Sequence, residues 1–185
     1  MSNWCVITGG PSSGKTTTVD LLRARGYRTT IEHARHFIDT RRVTGKTVEE
    51  IRANQREFQK AVLDMQIEQE RSLDPSELWF LDRALPDALA YYRFLHLEPD
   101  PALMAALKGA SYRKVFVMDL LPLARDYART EDVAAQRQIH ALIIEAYEAL
   151  DYPIEVVPVL SADERVDYVL ARVEEQSSGK ELPAI

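Results

Sequence analysis

Cysteine occurs once in the 185 residues, at Cys5, which excludes an intramolecular disulfide and leaves no thiolate pair for zinc or redox chemistry. Set among β-forming neighbours, the lone thiol reads as a small apolar strand residue. Positive charge is also scarce. Lysine and arginine number 23 against 29 aspartates and glutamates, a formal charge of -6, opposite in sign to the field that sequence-independent phosphate-backbone binding needs. Nucleic acid is therefore not an expected partner. Long apolar runs are missing too. The longest uncharged stretch, 1–14, holds a Gly-Gly-Pro turn and polar Ser and Thr residues. Neither a membrane span nor a signal peptide with a basic start is expected there, and the expected location is cytoplasmic.

What is present is a globular composition, 46% apolar and 28% charged, with no internal repeat or linker. One domain over 1–175 followed by a frayed tail, 176–185, is the expected organisation. Apolar β-rich runs predict strands over 4–8, 27–31, 78–82, 114–118 and 154–160. Between them lie helical patterns. One starts at Lys15 and ends by Gly26, and a second covers 33–43. A third opens on the capping box Thr47-Val48-Glu49-Glu50 and runs to about Leu73, with Ile51, Phe58, Val62 and Met65 on one face. Helices follow over 84–97 and up to Gly109, then along Ile139, Leu142, Ile143, Ala146, Tyr147 and Leu150. The last opens at Ser161-Ala162-Asp163-Glu164 and runs to about 175. Strands alternating with helices predict an α/β fold with a five-stranded, mostly parallel sheet and helices on both faces. In such sheets ligands sit beyond the carboxyl ends of the strands, so the residues just after each strand are the candidates for chemistry.

Directly after the first strand comes Gly9-Gly10-Pro11-Ser12-Ser13-Gly14-Lys15-Thr16, a match to G-x-x-x-x-G-K-[ST] in the strand–loop–helix setting its mechanism needs. Glycines at both ends let the loop curl so that backbone N–H groups point at phosphate oxygens, and the helix N-terminus adds positive potential. Gly9 through Thr17 are thus the expected polyphosphate contacts. Lys15 supplies a full charge between the β and γ phosphates, and Thr16 is a magnesium ligand. Two partial echoes lack this setting. Gly45-Lys46-Thr47 has Thr40 where the first glycine belongs, and its threonine serves better as an N-cap. Ser177-Ser178-Gly179-Lys180 has Glu174 at that place and follows a helix.

A second magnesium anchor is expected at the end of a neighbouring strand. Asp82 is preferred because 78–82 is the cleaner apolar run and Arg83 follows it; Asp119 is equally suited to a turn or cap. Glu32 ends the second strand and fits two roles equally: a base or clamp for an acceptor hydroxyl, or a helix-starting acid that meets the dipole. Arg35 is placed either toward the site or in solvent. Arg125, Asp126 and Arg129 lie on a polar connection, about 121–132, that suits a lid over the nucleotide, with Arg129 the favoured charge stabiliser. His33 and His36 have no third ligand at metal-like spacing, which argues against zinc. Tyr91, Tyr92, Phe94 and His96 read as core before acceptor pocket. In the loop 160–165, Arg165 is the candidate to stack on a base; no Asn/Thr-Lys-x-Asp guanine-reading motif is present, so ATP is preferred to GTP.

Gly9 to Thr16, Ile31-Glu32-His33-Ala34-Arg35, Asp82-Arg83 with Asp87 and Tyr91, and Asp126-x-x-Arg129-x-Glu131 together make the chain resemble the small AAA-domain predicted ATPase family. That family groups with the ribosylnicotinamide-kinase domain of the bifunctional bacterial NAD regulator and with the GTP-binding TRP-channel translocation protein. The resemblance runs from the first strand to the last helix. It implies a P-loop NTPase core of the nucleoside- and nucleotide-kinase type, with a lid, binding a purine triphosphate and Mg2+. The chain looks unlike a ring-forming AAA+ motor, being too short for the added helical domain and lacking an arginine-finger segment. The function expected first is a Mg-ATP-dependent phosphotransferase on a small metabolite, with Lys15, Glu32, Asp82, Arg83 and Arg129 as its catalytic set. The alternative is a slow ATPase or GTPase switch acting through a protein or lipid partner.

Overall fold

The computed structural model describes residues 2–123 and 132–178. Its strands are β1 (Trp4–Thr8), β2 (Arg28–Thr29), β3 (Trp79–Asp82), β4 (Lys114–Met118) and β5 (Ile154–Val157). They form one sheet in the order β2-β3-β1-β4-β5, and every pairing is parallel. β1 lies at the centre with all five residues buried, as its unbroken apolar sequence requires. Successive side chains point to opposite faces, so Trp4 and Val6 enter one core and Cys5 and Ile7 the other. The Cys5 thiol is wholly enclosed, and burial pushes its pKa up to about 11.

The helices are α1 (Lys15–Ala24), α2 (His33–Val43), α3 (Val48–Arg52), α4 (Gln55–Ser72), α5 (Leu85–Phe94), α6 (Pro101–Leu107), α7 (Val133–Glu148) and α8 (Ala162–Ser178). α1 and α8 cover the Cys5 face through Val19, Leu22, Val166 and Val169. On the Trp4 face, α4, α5 and α7 contribute Leu63, Leu89 and Ile143. α2, α3 and the start of α4 make a smaller cluster of Ile38, Val48, Ile51 and Phe58 beyond the carboxyl ends of the strands.

The predicted capping box at Thr47 forms, with Thr47 N donating to Glu50 Oε2 at 2.8 Å and Glu50 N to Thr47 Oγ1 at 3.2 Å. The box at Ser161 forms in the same way. The long helix expected from Thr47 is instead two. Asn54 leaves helical geometry and its side chain accepts from Glu57 N at 3.2 Å, starting α4 afresh. β2 is shorter than 27–31: Thr30 N still donates to Phe80 O at 3.0 Å, but the Asp82 N–H goes to the Thr30 side chain, Oγ1, at 2.9 Å, and the ladder ends there. β5 stops at Val157, before Pro158, which has no N–H for a ladder. α8 continues to Ser178, past the expected 175.

Candidate active site

β1 delivers the chain into the loop from Gly9 to Gly14, and α1 begins at Lys15. Gly14 has φ 80°, a left-handed conformation, and a side chain there would collide with the Arg165 guanidinium. Ser12 takes the same region, φ 56°, without that excuse, a local strain of about 1–2 kcal/mol held by the surrounding loop. Lys15 is 6% exposed, and its ammonium donates to Gly10 O at 2.7 Å and Ser13 Oγ at 3.2 Å. Burial and the nearby Arg83 guanidinium pull its pKa down, against Glu32, Asp82 and Asp87, which raise it.

Asp82 ends β3 opposite Ile7 and is 2% exposed. The Thr16 hydroxyl hydrogen-bonds its carboxylate, while Oδ1 is a buried oxygen without a hydrogen-bond partner among the described residues. Burial, and then Glu32, push this carboxyl above its ordinary range; Lys15 and Arg83 oppose them. A threonine hydroxyl beside an under-satisfied carboxylate is a hard-oxygen pair suited to Mg2+, which commonly takes one or two protein oxygens and completes its shell with phosphate and water. No cluster of three or more acidic, His or Cys ligands occurs among the described residues, and such a magnesium site needs none. Asp119 separates from this set. It is exposed and its Oδ1 accepts from its neighbour Leu120 N at 2.7 Å, a turn role.

Glu32 stands at the N-cap of α2, yet its side chain makes no capping bond. Its Oε1 lies 3.4 Å from Arg83 Nε and its Oε2 3.7 Å from Arg35 Nε. Arg83 has φ 69°, an uncommon backbone state for a residue with a Cβ, and the turn throws its guanidinium back over the site. There Nη1 is 3.3 Å from Asp87 Oδ1, Nη2 donates to Tyr91 Oη at 3.3 Å, and the guanidinium sits 5.2 Å from the Tyr91 ring centroid. Asp87, also 2% exposed, is the organiser. It accepts from Thr8 Oγ1 at 2.6 Å, Tyr147 Oη at 2.7 Å and Ala84 N at 3.2 Å, tying β1, α5 and α7 together beneath Arg83. A carboxylate so anchored fixes the arginine that leans on it.

Pro11 and Ser13 through Thr17 line one side of a cavity of about 410 Å3; Gly9, Gly10 and Ser12 form the limb of the loop outside it. Glu32, Arg35 and Arg83 line the same cavity, which extends to a compartment lined from α2, α4 and α5 by Ile38, Phe58, Val62, Tyr91 and Phe94, with Gln55, Gln59 and Gln66 among them. Of the aromatic group on α5, Tyr91 and Phe94 thus reach the cavity, Tyr92 is core at 1% exposure, and His96 is exposed beyond the helix. His33 also lines the cavity, Nε2 2.8 Å from Gln69 Oε1, and burial lowers its pKa; His36 is exposed.

Arg165 is placed differently from its expected base-stacking position. It is 6% exposed, its Nη1 donates to Ser13 O at 3.0 Å, and its guanidinium lies against Gly14, so it supports the loop backbone. Arg125, Asp126, Arg129 and Glu131, with most of the expected lid, lie outside the described residues. Three polar residues had no signal in the sequence. Glu70, on α4, accepts from Leu85 N and Tyr112 Oη at the start of α5; Gln136 and His140, on α7, bind the P-loop backbone.

A parallel sheet in this order, with a P-loop after its central strand and a cavity beside that loop, defines a P-loop fold like that of nucleoside and nucleotide kinases. A family model described as AAA domain matches residues 4–165, and the chain belongs to that family. No curated protein matches it in sequence. Among solved structures, NadR protein in complex with NR is similar over 100% of this chain and 53% of its own, at 15% identity and a TM-score of 0.68. The chain thus spans about half the length of the NadR structures it matches. Deoxyadenosine kinase from M. mycoides with bound dATP covers 92% of this chain and 98% of its own at 12% identity, TM-score 0.62. Thymidylate kinase from Ehrlichia chaffeensis covers 92% and 97%, at 12% identity and a TM-score of 0.63. At these identities the likeness is one of fold. No helix among the described residues is long and apolar enough to cross a membrane.

Proposed function

We propose that the protein is a Mg-ATP-dependent phosphotransferase whose acceptor is a small, nucleoside-like metabolite bearing a hydroxyl. The observation that carries the reading is that one cavity is lined both by the phosphate cradle and by aromatic and amide side chains of α4 and α5, with one carboxylate, Glu32, and two arginines paired with it in the same wall. A nucleotide switch needs the cradle alone; a kinase needs room for a second molecule in line with the γ-phosphate. The compartment is partly aromatic and partly amide-lined, which suits a planar ring with a hydrogen-bonding edge. Nucleoside and nucleotide kinases of the same fold favour the same acceptor class.

In this reading Thr16 and Asp82 would hold Mg2+, which would supply neutralisation of phosphate charge. The loop N–H groups and Lys15 fix the triphosphate. Glu32 accepts the hydroxyl proton as the acceptor oxygen bonds to the γ-phosphorus and the bond to the β-phosphate oxygen breaks. Arg83, locked by Asp87 and Tyr91, holds charge on the transferring group without having to reorganise. Arg125 and Arg129 are proposed to close on the same oxygens from the connection near 121–132.

The test is ADP release from Mg-ATP with a panel of nucleosides, comparing the parent protein with Lys15→Ala and Glu32→Gln. Acceptor-stimulated release abolished in both variants, with nucleotide binding kept in Glu32→Gln, is the expected result. Slow release indifferent to every nucleoside would overturn the kinase reading and favour a switch.

A further inference from the structure

The P-loop is braced from outside the cavity by α7. Gly10 N donates to His140 Nδ1 at 3.1 Å. One turn earlier, Gln136 Nε2 donates to Pro11 O at 2.9 Å and to Leu121 O at 3.0 Å, and Leu121 N returns a bond to Ser12 O at 3.1 Å. The approach is close. A Cβ on Gly10 would stand 2.9 Å from both Gln136 O and His140 Cβ, so the limb of the loop lies flush on the helix. Gln136 is 4% exposed, and α7 itself is anchored by Ile139, Ile143 and Tyr147 in the main core, Tyr147 also binding Asp87. The helix that fixes Arg83 through Asp87 therefore also fixes Gly10 and Pro11. The inner turn of the loop, at Ser13 and Gly14, is held by Arg165; its outer limb is held by α7, from 125 to 130 residues away.

We propose that His140 is a positioning residue for the phosphate cradle, its unprotonated Nδ1 holding the Gly10 amide so that triphosphate affinity depends on a hydrogen-bond acceptor at that point. The inference rests on the nucleotide-binding part of the proposed function. Its chemistry is specific. An N–H donor needs an acceptor, and a protonated imidazole offers only donors, so imidazolium formation sets N–H against N–H and pushes the limb away. The charged groups that face His140 are Asp119, at the end of β4, and Lys15, at the start of α1; burial and Lys15 favour the neutral ring, and Asp119 opposes them. An asparagine Oδ1 falls near the place of Nδ1, whereas alanine leaves the amide without a partner.

The experiment is titration of the protein with Mg-ATP by calorimetry at several pH values between 5.5 and 8, for the parent, His140→Ala and His140→Asn, each checked for an unchanged circular dichroism spectrum. Loss of one hydrogen bond to a backbone amide predicts Kd about fivefold weaker for His140→Ala at pH 8. His140→Asn is expected to recover most of that affinity. It is also expected to lose the part of the parent's weakening at low pH that belongs to His140; protonation of the triphosphate and of every other side chain is common to all three proteins. Parent, alanine and asparagine variants that bind alike, or an asparagine variant whose pH profile parallels the parent's, would overturn the inference and leave nucleotide binding intact. A parent protein that binds no Mg-ATP would overturn the nucleotide reading and this inference with it.

Discussion

On the cradle side the cavity wall is a loop whose backbone is held from behind by other parts of the chain. Pro11 O and Gly10 N are held by α7, Ser13 O by Arg165, and Gly14 is confined by the same guanidinium. On the side formed by α2, α4 and α5 the wall is made of side chains, such as Gln59, Phe58 and Phe94, carried on helix surfaces. Under the proposed function the first construction would recognise charge and geometry shared by every triphosphate. The second would recognise shape, and a single substitution can retune it without disturbing the frame. Selectivity for the acceptor is therefore expected to reside in α4 and α5, while the triphosphate requirement resides in the loop.

That contrast breaks most severely at Lys15. Its ammonium is the one full positive charge inside the loop, and Lys15→Ala should lower turnover by about a hundredfold or more with every acceptor. Steady-state ADP release measures it, and near-parental turnover would mean the cradle is not where the triphosphate sits. Glu32→Gln sits on the boundary. Transfer should fall by at least about a hundredfold with Mg-ATP affinity nearly unchanged, because a base is lost and the phosphate contacts are not; calorimetry beside the transfer assay separates the two. Gln59→Leu tests the other side. The amide is 8% exposed in the cavity wall, and replacing it with an apolar group of similar size should raise KM for a preferred nucleoside by about tenfold while KM for ATP stays within twofold or so. Equal changes in both constants would erase the distinction between the two sides.

A smaller effect concerns the frame. Glu70 is buried between α4 and α5, and burial pushes its pKa from 4.5 up to about 7 despite hydrogen bonds from Gln66, Tyr112 and Leu85 N. A raised acid contributes stability that is complete below pH 4.5 and lost as pH climbs toward 7, so the folded protein should lose on the order of 3 kcal/mol across that interval from this group. Glu70→Gln keeps an acceptor for Leu85 N and cannot ionise. Urea unfolding at pH 5 and pH 7 should show a smaller drop for the variant than for the parent, and identical drops would place the charge of Glu70 elsewhere.

Sequence patterning found the elements that stand alone energetically. β1, β4 and α2 occur over the residues expected, because an unbroken buried run or a strong helical period needs no tertiary help to be seen. The break at Asn54 was hidden because Ile51, Phe58 and Val62 keep one helical phase across it. Of the residues expected at the site from the loop motif or from strand ends, Lys15, Thr16, Glu32 and Arg83 line one cavity and Asp82 lies against Thr16. The sequence leaves Glu32 two roles; its carboxylate pairs with Arg83 and Arg35 and makes no capping bond to α2. Gln136, His140 and Glu70 carried no such mark. Each acts on a backbone atom far away in the chain, and polar residues on helices look the same in sequence whether they meet water or another segment's N–H. Arg165 lies in the first turn of α8 with its guanidinium on Ser13 O and against Gly14; a place just after β5 predicts the neighbourhood of the loop and not which group the guanidinium meets there.

The enclosed thiol in β1 gives the protein a chemical clock of its own. Cys5 is 0% exposed at the centre of the sheet, and with its pKa pushed up to about 11 almost none of it is thiolate at neutral pH. An alkylating reagent can reach it only when the central strand leaves the sheet, so its labelling rate counts openings of the whole α/β core, with no tag and no engineered probe. Because β1 ends in the P-loop, a nucleotide that grips the loop should slow that clock, and the slowing would report binding even for a molecule the protein never turns over.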